Sequence, residues 1–175
     1  RIAQKNGEYV GSTAPYGYCV EKVNGIYKLM VEAEAAKIVR RIFEEYASGD
    51  GIQSIIDRLF EDRVHRISDY NQYHHVYCQD GENLHQWGNS SIRAVLNRNN
   101  YYGDLVQRKY ESRFQRGEKW CDILDQSQWI ITPNAHEPII SRELFDKAQI
   151  RLKAAQQKAT KTTEGWEDDE RAFYN

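Results

Sequence analysis

The sequence predicts a single α+β domain, with three or four helices packed on a small antiparallel sheet, a long polar insert and a flexible acidic C-terminal extension. Three observations lead there. Apolar residues recur at helical spacing in four separate stretches, two other stretches alternate as strands do, and an Asn-Gly pair sits between strand-like runs.

Taken in order, residues 1–18 are rich in Gly, Lys and small polar side chains and suggest an extended arm ending in a turn at Pro15 and Gly17. Asn24-Gly25 then separates Cys19-Val20 from Ile26-Tyr27-Lys28-Leu29, which predicts a hairpin because both turn positions tolerate positive φ. From Glu32 the period changes. Ala35, Ile38, Val39, Ile42, Phe43 and Tyr46 form one face of a helix, acidic Glu32 and Glu34 suit its positive end, and Gly49 supplies a stop. A second helix follows with Ile52, Ile55, Ile56 and Leu59 inward, and Asp50 and Gln53 are spaced as a reciprocal cap.

Between residues 61 and 86 the pattern dissolves into Asp, Asn, Gln, His and Tyr, a connection longer than compact domains ordinarily use. A third helix, capped by Asn89 or Ser90, would bury Ile92, Val95 and Leu96. Residues 104–110 and 120–131 then read as strands joined by an exposed basic loop. Ser141 should cap a last helix with Leu144, Phe145, Ala148 and Leu152 inside, and from Gln156 the composition becomes that of a linker. The expected division is a domain over 1–157 and a linker over 158–175.

Composition narrows the function. The 175 residues are 40% hydrophobic with a mean hydropathy of −0.81, no apolar run approaches the roughly 18 residues of a membrane helix, and the opening does not read as a signal peptide. A soluble, cytoplasmic protein without a membrane role is expected. Cys19, Cys78 and Cys121 are odd in number and far apart, which argues against a disulfide framework or a cysteine-rich zinc module.

Charge is informative in its distribution. The net charge is −2, but residues 164–175 hold five acids and one arginine, and the remainder carries 23 basic and 21 acidic residues. Cations gather between Arg93 and Lys119. Nucleic-acid binding needs cations at phosphate spacing and side chains able to read base edges from a rigid element. Arg93, Asn97 and Arg98 on the third helix suit base and phosphate contact, since Arg matches guanine bidentately and Asn matches adenine. Arg108, Lys109, Arg113, Arg116 and Lys119 would add phosphate contacts, with Tyr110 and Phe114 interleaved.

Four motifs occur in a telling order: Ala14-Pro15-Tyr16-Gly17-Tyr18; Glu34-Ala35-Ala36-Lys37-Ile38-Val39-Arg40-Arg41-Ile42-Phe43 closing on Gly49; Trp87 leading to Ile92-Arg93-Ala94-Val95-Leu96-Asn97-Arg98-Asn99 and Tyr102-Gly103; and His136-Glu137-Pro138-Ile139-Ile140-Ser141 before Leu144-Phe145. Together they resemble the recombinase domain of large serine recombinases, the family of serine integrases and transposon resolvases, over roughly residues 7–157. Asn99-Asn100 stands where that family usually has a proline, and the 61–86 insert is longer than in many members, too long for a simple helix-turn-helix.

The resemblance implies a DNA-binding domain that recognises part of an attachment or transposon-end site for DNA integration or excision. Its implied partners are double-stranded DNA and other recombinase protomers, as dimers or tetramers on DNA. In such proteins the serine nucleophile lies in a preceding catalytic domain and a zinc ribbon usually follows. Ser12, Ser54, Ser90, Ser91 and Ser141 match no nucleophile motif, so this chain is not expected to cut DNA alone or to need a cofactor.

Two rival readings come from the insert. Tyr70, Tyr73 and Tyr77 are aromatic enough for a protein-assembly surface, and His74, His75, Cys78 and His85 offer metal ligands in a small window. No pair of those ligands has the usual zinc spacing, so no metal site is assigned from sequence. His136, followed by Glu137-Pro138, suggests a turn or cap role.

Overall fold

The helical period that begins after Glu32 becomes the central helix of the protein, in a computed structural model that describes residues 8–11, 13–107, 109–112 and 121–172. This helix, α1 (Ala33–Ser48), buries Ala35, Ala36, Ile38, Val39, Ile42, Phe43 and Tyr46 and packs against three others, α2 (Ile52–Glu61), α4 (Asn89–Leu96) and α5 (Arg142–Ala172). Fully burying each large apolar side chain contributes about 1.5–3 kcal/mol, so the stripe makes α1 the pillar of the core. Phe43 meets Tyr101 and Phe145 edge-on or tilted, with ring centroids 5.9 and 6.0 Å away.

Ahead of α1, β1 (Tyr18–Val23) and β2 (Ile26–Val31) form the anticipated hairpin, with Asn24 and Gly25 at φ 52° and 84°. Gly49 ends α1 at φ 125°. Carbonyls at this helix end are gathered by Arg151 of α5, which donates to Tyr46 O, Gly49 O and Asp50 O and stacks over the Tyr46 ring at 4.5 Å. Asp50 does not cap α2: Gly51 occupies the cap position, and the Asp50 carboxylate pairs with Arg58 at 2.8 Å. Gly88 likewise holds the cap position of α4, leaving Asn89 and Ser90 inside its first turn. Ser141 does cap α5, its Oγ accepting the Leu144 N–H at 3.1 Å.

The 61–86 insert is more ordered than its composition suggests. His65 N–H donates to Val76 O and Cys78 N–H to Arg63 O, both at 2.8 Å, closing a small antiparallel bridge around a short helix, α3 (Ile67–Tyr73). With α3 the described residues form five α-helices, one more than the periodicity indicates, because the seven mostly polar residues of α3 carry no apolar stripe. Buried Asp69 accepts from Arg66 and pairs with His85, and Tyr70 meets Tyr16 edge-on at 5.0 Å while donating to Glu32.

The second half holds two nested strand pairs. β3 (Leu105–Gln107) pairs antiparallel with β6 (Ile130–Thr132), and beyond it β4 (Tyr110–Ser112) pairs with β5 (Cys121–Ile123). Among the described residues the strands form three two-stranded antiparallel pairs alongside the helices, an α+β fold. Helix α5 buries Phe145, Ala148 and Leu152 and continues to Ala172, through residues whose composition predicts a flexible extension. A helix already nucleated by packing propagates cheaply through Ala, Gln, Lys and Glu. None of the described helices is long and apolar enough to cross a membrane.

Candidate nucleic-acid interface

The motif residues converge on one buried knot. Gly17, at φ 91°, lies so close to α1 and the 139–140 segment that an added Cβ would stand 2.9 Å from Ile139 Cδ1 and 3.0 Å from Val39 Cγ2. Tyr18 donates its hydroxyl to Asn100 O at 3.2 Å and Glu137 O at 2.9 Å, and Tyr101 donates to Tyr16 O at 2.9 Å. His136 Nε2 lies 2.7 Å from Asn100 O, and its ring meets Tyr18 edge-on at 4.9 Å. Burial pushes the His136 imidazole below the ordinary histidine range, although the Asn100 carbonyl works against that shift. Arg40 of α1 donates twice to Ile139 O, at 3.1 and 3.2 Å. These residues do structural work: they clamp three distant segments around the turn Asn99–Tyr102.

That turn presents Arg98. Helix α4 buries Ile92, Val95 and Leu96 and exposes the opposite stripe, Asn89, Arg93 and Asn97. Arg93 Nε donates to Asn89 Oδ1 at 2.8 Å, and the Asn97 amide donates back to Arg93 O at 2.8 Å as the helix ends. Arg98, extended at φ −94°, directly precedes the 3₁₀ turn and is exposed.

Arg98 and Lys109 line one groove of about 400 Å³, roofed by the N-terminal arm. Gln107 holds that arm in place, donating to Glu8 O at 3.0 Å and accepting the Val10 N–H at 3.3 Å, and Tyr9 N–H donates to Tyr27 O at 2.8 Å. Lys109 Nζ sits 4.9 Å over the Trp129 ring. Burial, and then the neighbouring Arg98 guanidinium, push the Lys109 ammonium below its ordinary value. No carboxylate is among the described residues that line the groove. With two cations and no carboxylate among its described lining residues, the groove favours an anionic ligand such as a phosphate.

Of the eight residues selected from sequence, the structure brings Arg98 and Lys109 together and places Arg93 and Asn97 on the adjoining outer stripe of α4. Arg108, Arg113, Arg116 and Lys119 lie outside the described residues. Sequence reasoning missed the part played by Tyr9 and Gln107. The signal was a glutamine among apolar strand residues, which the structure buries on β3 so that its amide can satisfy the arm's backbone. In the insert, Tyr70 and Tyr73 are part-buried against other rings and only Tyr77 of the three is exposed, about half of its surface being free, so they form no continuous aromatic face.

The family model described as Recombinase matches residues 33–155. A crystal structure of an LSR–DNA complex shares the fold at 18% identity and a TM-score of 0.52, the match covering 87% of this chain and 36% of that one. A second structure, on the sequence requirements of the Listeria innocua prophage attP site, is 19% identical with a TM-score of 0.50, covering 87% of this chain and 48% of that one. This chain therefore spans less than half the length of either.

Proposed function

We propose, from the premise that this chain belongs to the Recombinase family, that it is the DNA-binding domain of a site-specific serine recombinase and grips part of an attachment or transposon-end site. The observation that carries this reading is the groove that Arg98 and Lys109 line together, with no carboxylate among its described lining residues. Backbone phosphates supply the missing charge. Arg93 and Asn97, one stripe away on α4, read base edges, while Arg108, Arg113, Arg116 and Lys119 extend the phosphate contacts along the duplex. The similarity to an LSR–DNA complex supports the same assignment.

In this reading residues 1–157 are the binding unit and 158–175 lead away from it. Strand cleavage belongs to a serine-bearing catalytic domain elsewhere in the recombinase, and other protomers meet this one on DNA as dimers or tetramers in the cytoplasm. The packed tyrosines of the insert favour no rival protein-assembly role.

The test is fluorescence anisotropy on random duplex DNA across a salt series, comparing the chain with Arg98→Ala and Lys109→Ala. Each substitution should weaken binding on every sequence and lower the slope of log K against log salt by about 1. Salt-independent binding, or slopes unchanged in both variants, would remove the groove from the interface.

A further inference from the structure

The insert contains a second constellation that DNA binding does not use. His65 is completely buried, and neither of its ring nitrogens has a hydrogen-bond partner. Buried polar groups almost always have one, so an orphan of this kind calls for an explanation. Its Nε2 lies 3.4 Å from Glu82 Oε2 without hydrogen-bond geometry, and His75 Nε2 lies 2.9 Å from the same oxygen. One ligand atom from each of the three residues falls within 4.8 Å of the others.

We infer that His65, His75 and Glu82 form a binding site for one Zn²⁺ ion, which ties the 61–86 insert together. Zinc bonds of about 2.0–2.1 Å to nitrogen and oxygen in a tetrahedron put neighbouring donors about 3.4 Å apart, which the His65–Glu82 separation matches, while the His75–Glu82 pair, at 2.9 Å, would open slightly around an ion. Two imidazoles and one carboxylate suit zinc and its cobalt surrogate, whereas magnesium and calcium call for shells of oxygen. A water completes the fourth position.

The local fold explains the convergence. His65 and His75 lie on opposite arms of the bridge that His65 N–H makes to Val76 O, with α3 forming the loop between them. Glu82 follows the turn at Gly81, and its carboxylate is oriented by the Gln79 N–H at 2.8 Å. The Tyr73 ring walls the site, 5.0 Å from the His65 ring and 6.0 Å from that of His75. His75 remains partly exposed, which leaves an entry path for the ion. Of the four candidates that the sequence offers, His74, His75, Cys78 and His85, only His75 belongs to this cluster: His74 is exposed and His85 is engaged by Asp69.

The experiment is a calorimetric titration of Zn²⁺ into the chelator-treated 175-residue chain, repeated with Co²⁺ followed by visible absorption. One ion per chain should bind, Co²⁺ should give the intense bands of a tetrahedral site, and no thiolate charge-transfer band should accompany them. Affinity should fall at least 10-fold in His75→Ala and Glu82→Gln, typical of a lost ligand or its support, and stay unchanged in His74→Ala. Zn²⁺ at a hundredfold its Kd should raise the folding equilibrium constant about 100-fold. No saturable binding, equal affinity in His75→Ala and Glu82→Gln, or a thiolate band from Cys78 would each overturn the assignment. Should either variant lose its native circular dichroism, the stoichiometry and cobalt spectrum of the unaltered chain decide the matter.

Discussion

Tyr101 donates its phenolic hydroxyl to the carbonyl oxygen of Tyr16 at 2.9 Å, joining two turns 85 residues apart in sequence. The 3₁₀ turn that contains Tyr101 starts directly after Arg98, so this buried bond helps set where the groove's guanidinium stands.

Replacing Tyr101 by Phe should therefore cost more than a surface hydrogen bond. The ring stays and packs as before, but the Tyr16 carbonyl loses its donor inside the core, a loss of about 1–3 kcal/mol. Urea unfolding should show a lower midpoint at unchanged slope. A midpoint equal to that of the parent chain would mean the Tyr16 carbonyl finds another donor.

Gly17 and Gly25 share a positive φ, 91° and 84°, yet alanine should behave differently at the two. At Gly25 no atom lies within 4 Å of the added methyl, leaving only the left-handed backbone strain, about 1–2 kcal/mol. At Gly17 the methyl also collides with Ile139 and Val39, adding about 1–3 kcal/mol of overpacking. Paired unfolding curves check the difference, and equal losses would deny the close approach of the turn to α1.

His136 predicts a pH dependence with a definite sign. Its folded pKa lies below the unfolded value near 6.5, so the unfolded chain binds the proton more readily. The contribution of the neutral, half-buried ring is complete above about pH 6.5 and declines as pH falls through that value toward the lower folded pKa. Stability measured from pH 8 to pH 5 should thus drop less steeply in His136→Gln than in the parent. Parallel profiles would show that the half-buried ring takes up its proton without cost.

Arg93→Ala should relax sequence discrimination by about 1–3 kcal/mol while leaving affinity for random duplex largely intact. Competition binding between a cognate half-site and scrambled DNA measures it. Equal losses on both would make Arg93 another phosphate contact, no different in kind from Arg98.

Much of the fold was legible because its signals are local. The α1 stripe from Ala35 to Tyr46, the Ile52–Leu59 stripe of α2 and the Asn24-Gly25 turn each announce themselves within a dozen residues. The site was legible in part: Arg98 and Lys109 stood out as cations, but nothing in the sequence shows that the 8–11 arm would roof the space between them. His65 was invisible for a related reason. It is a lone histidine between Val64 and Arg66, and its meaning depends on Glu82 arriving from across a bridge that no periodicity foretells. Helix α3 was hidden because Asp69 is buried by charge pairing with Arg66 and His85, the reverse of the apolar pattern that marks a buried face.

The bond from Tyr18 to the Glu137 carbonyl spans 119 residues, which gives the chain an order of assembly on the ribosome. At about 5–20 residues per second, roughly 6–24 seconds separate synthesis of the first partner from that of the second. Throughout that interval the amino-terminal hairpin has emerged without its anchor. Helices α1 and α2 can pair early, but the cradle around Arg98 closes only once the segment that precedes α5 has been made. Nascent chains arrested before that point should hold DNA poorly even though every groove-lining residue is already present.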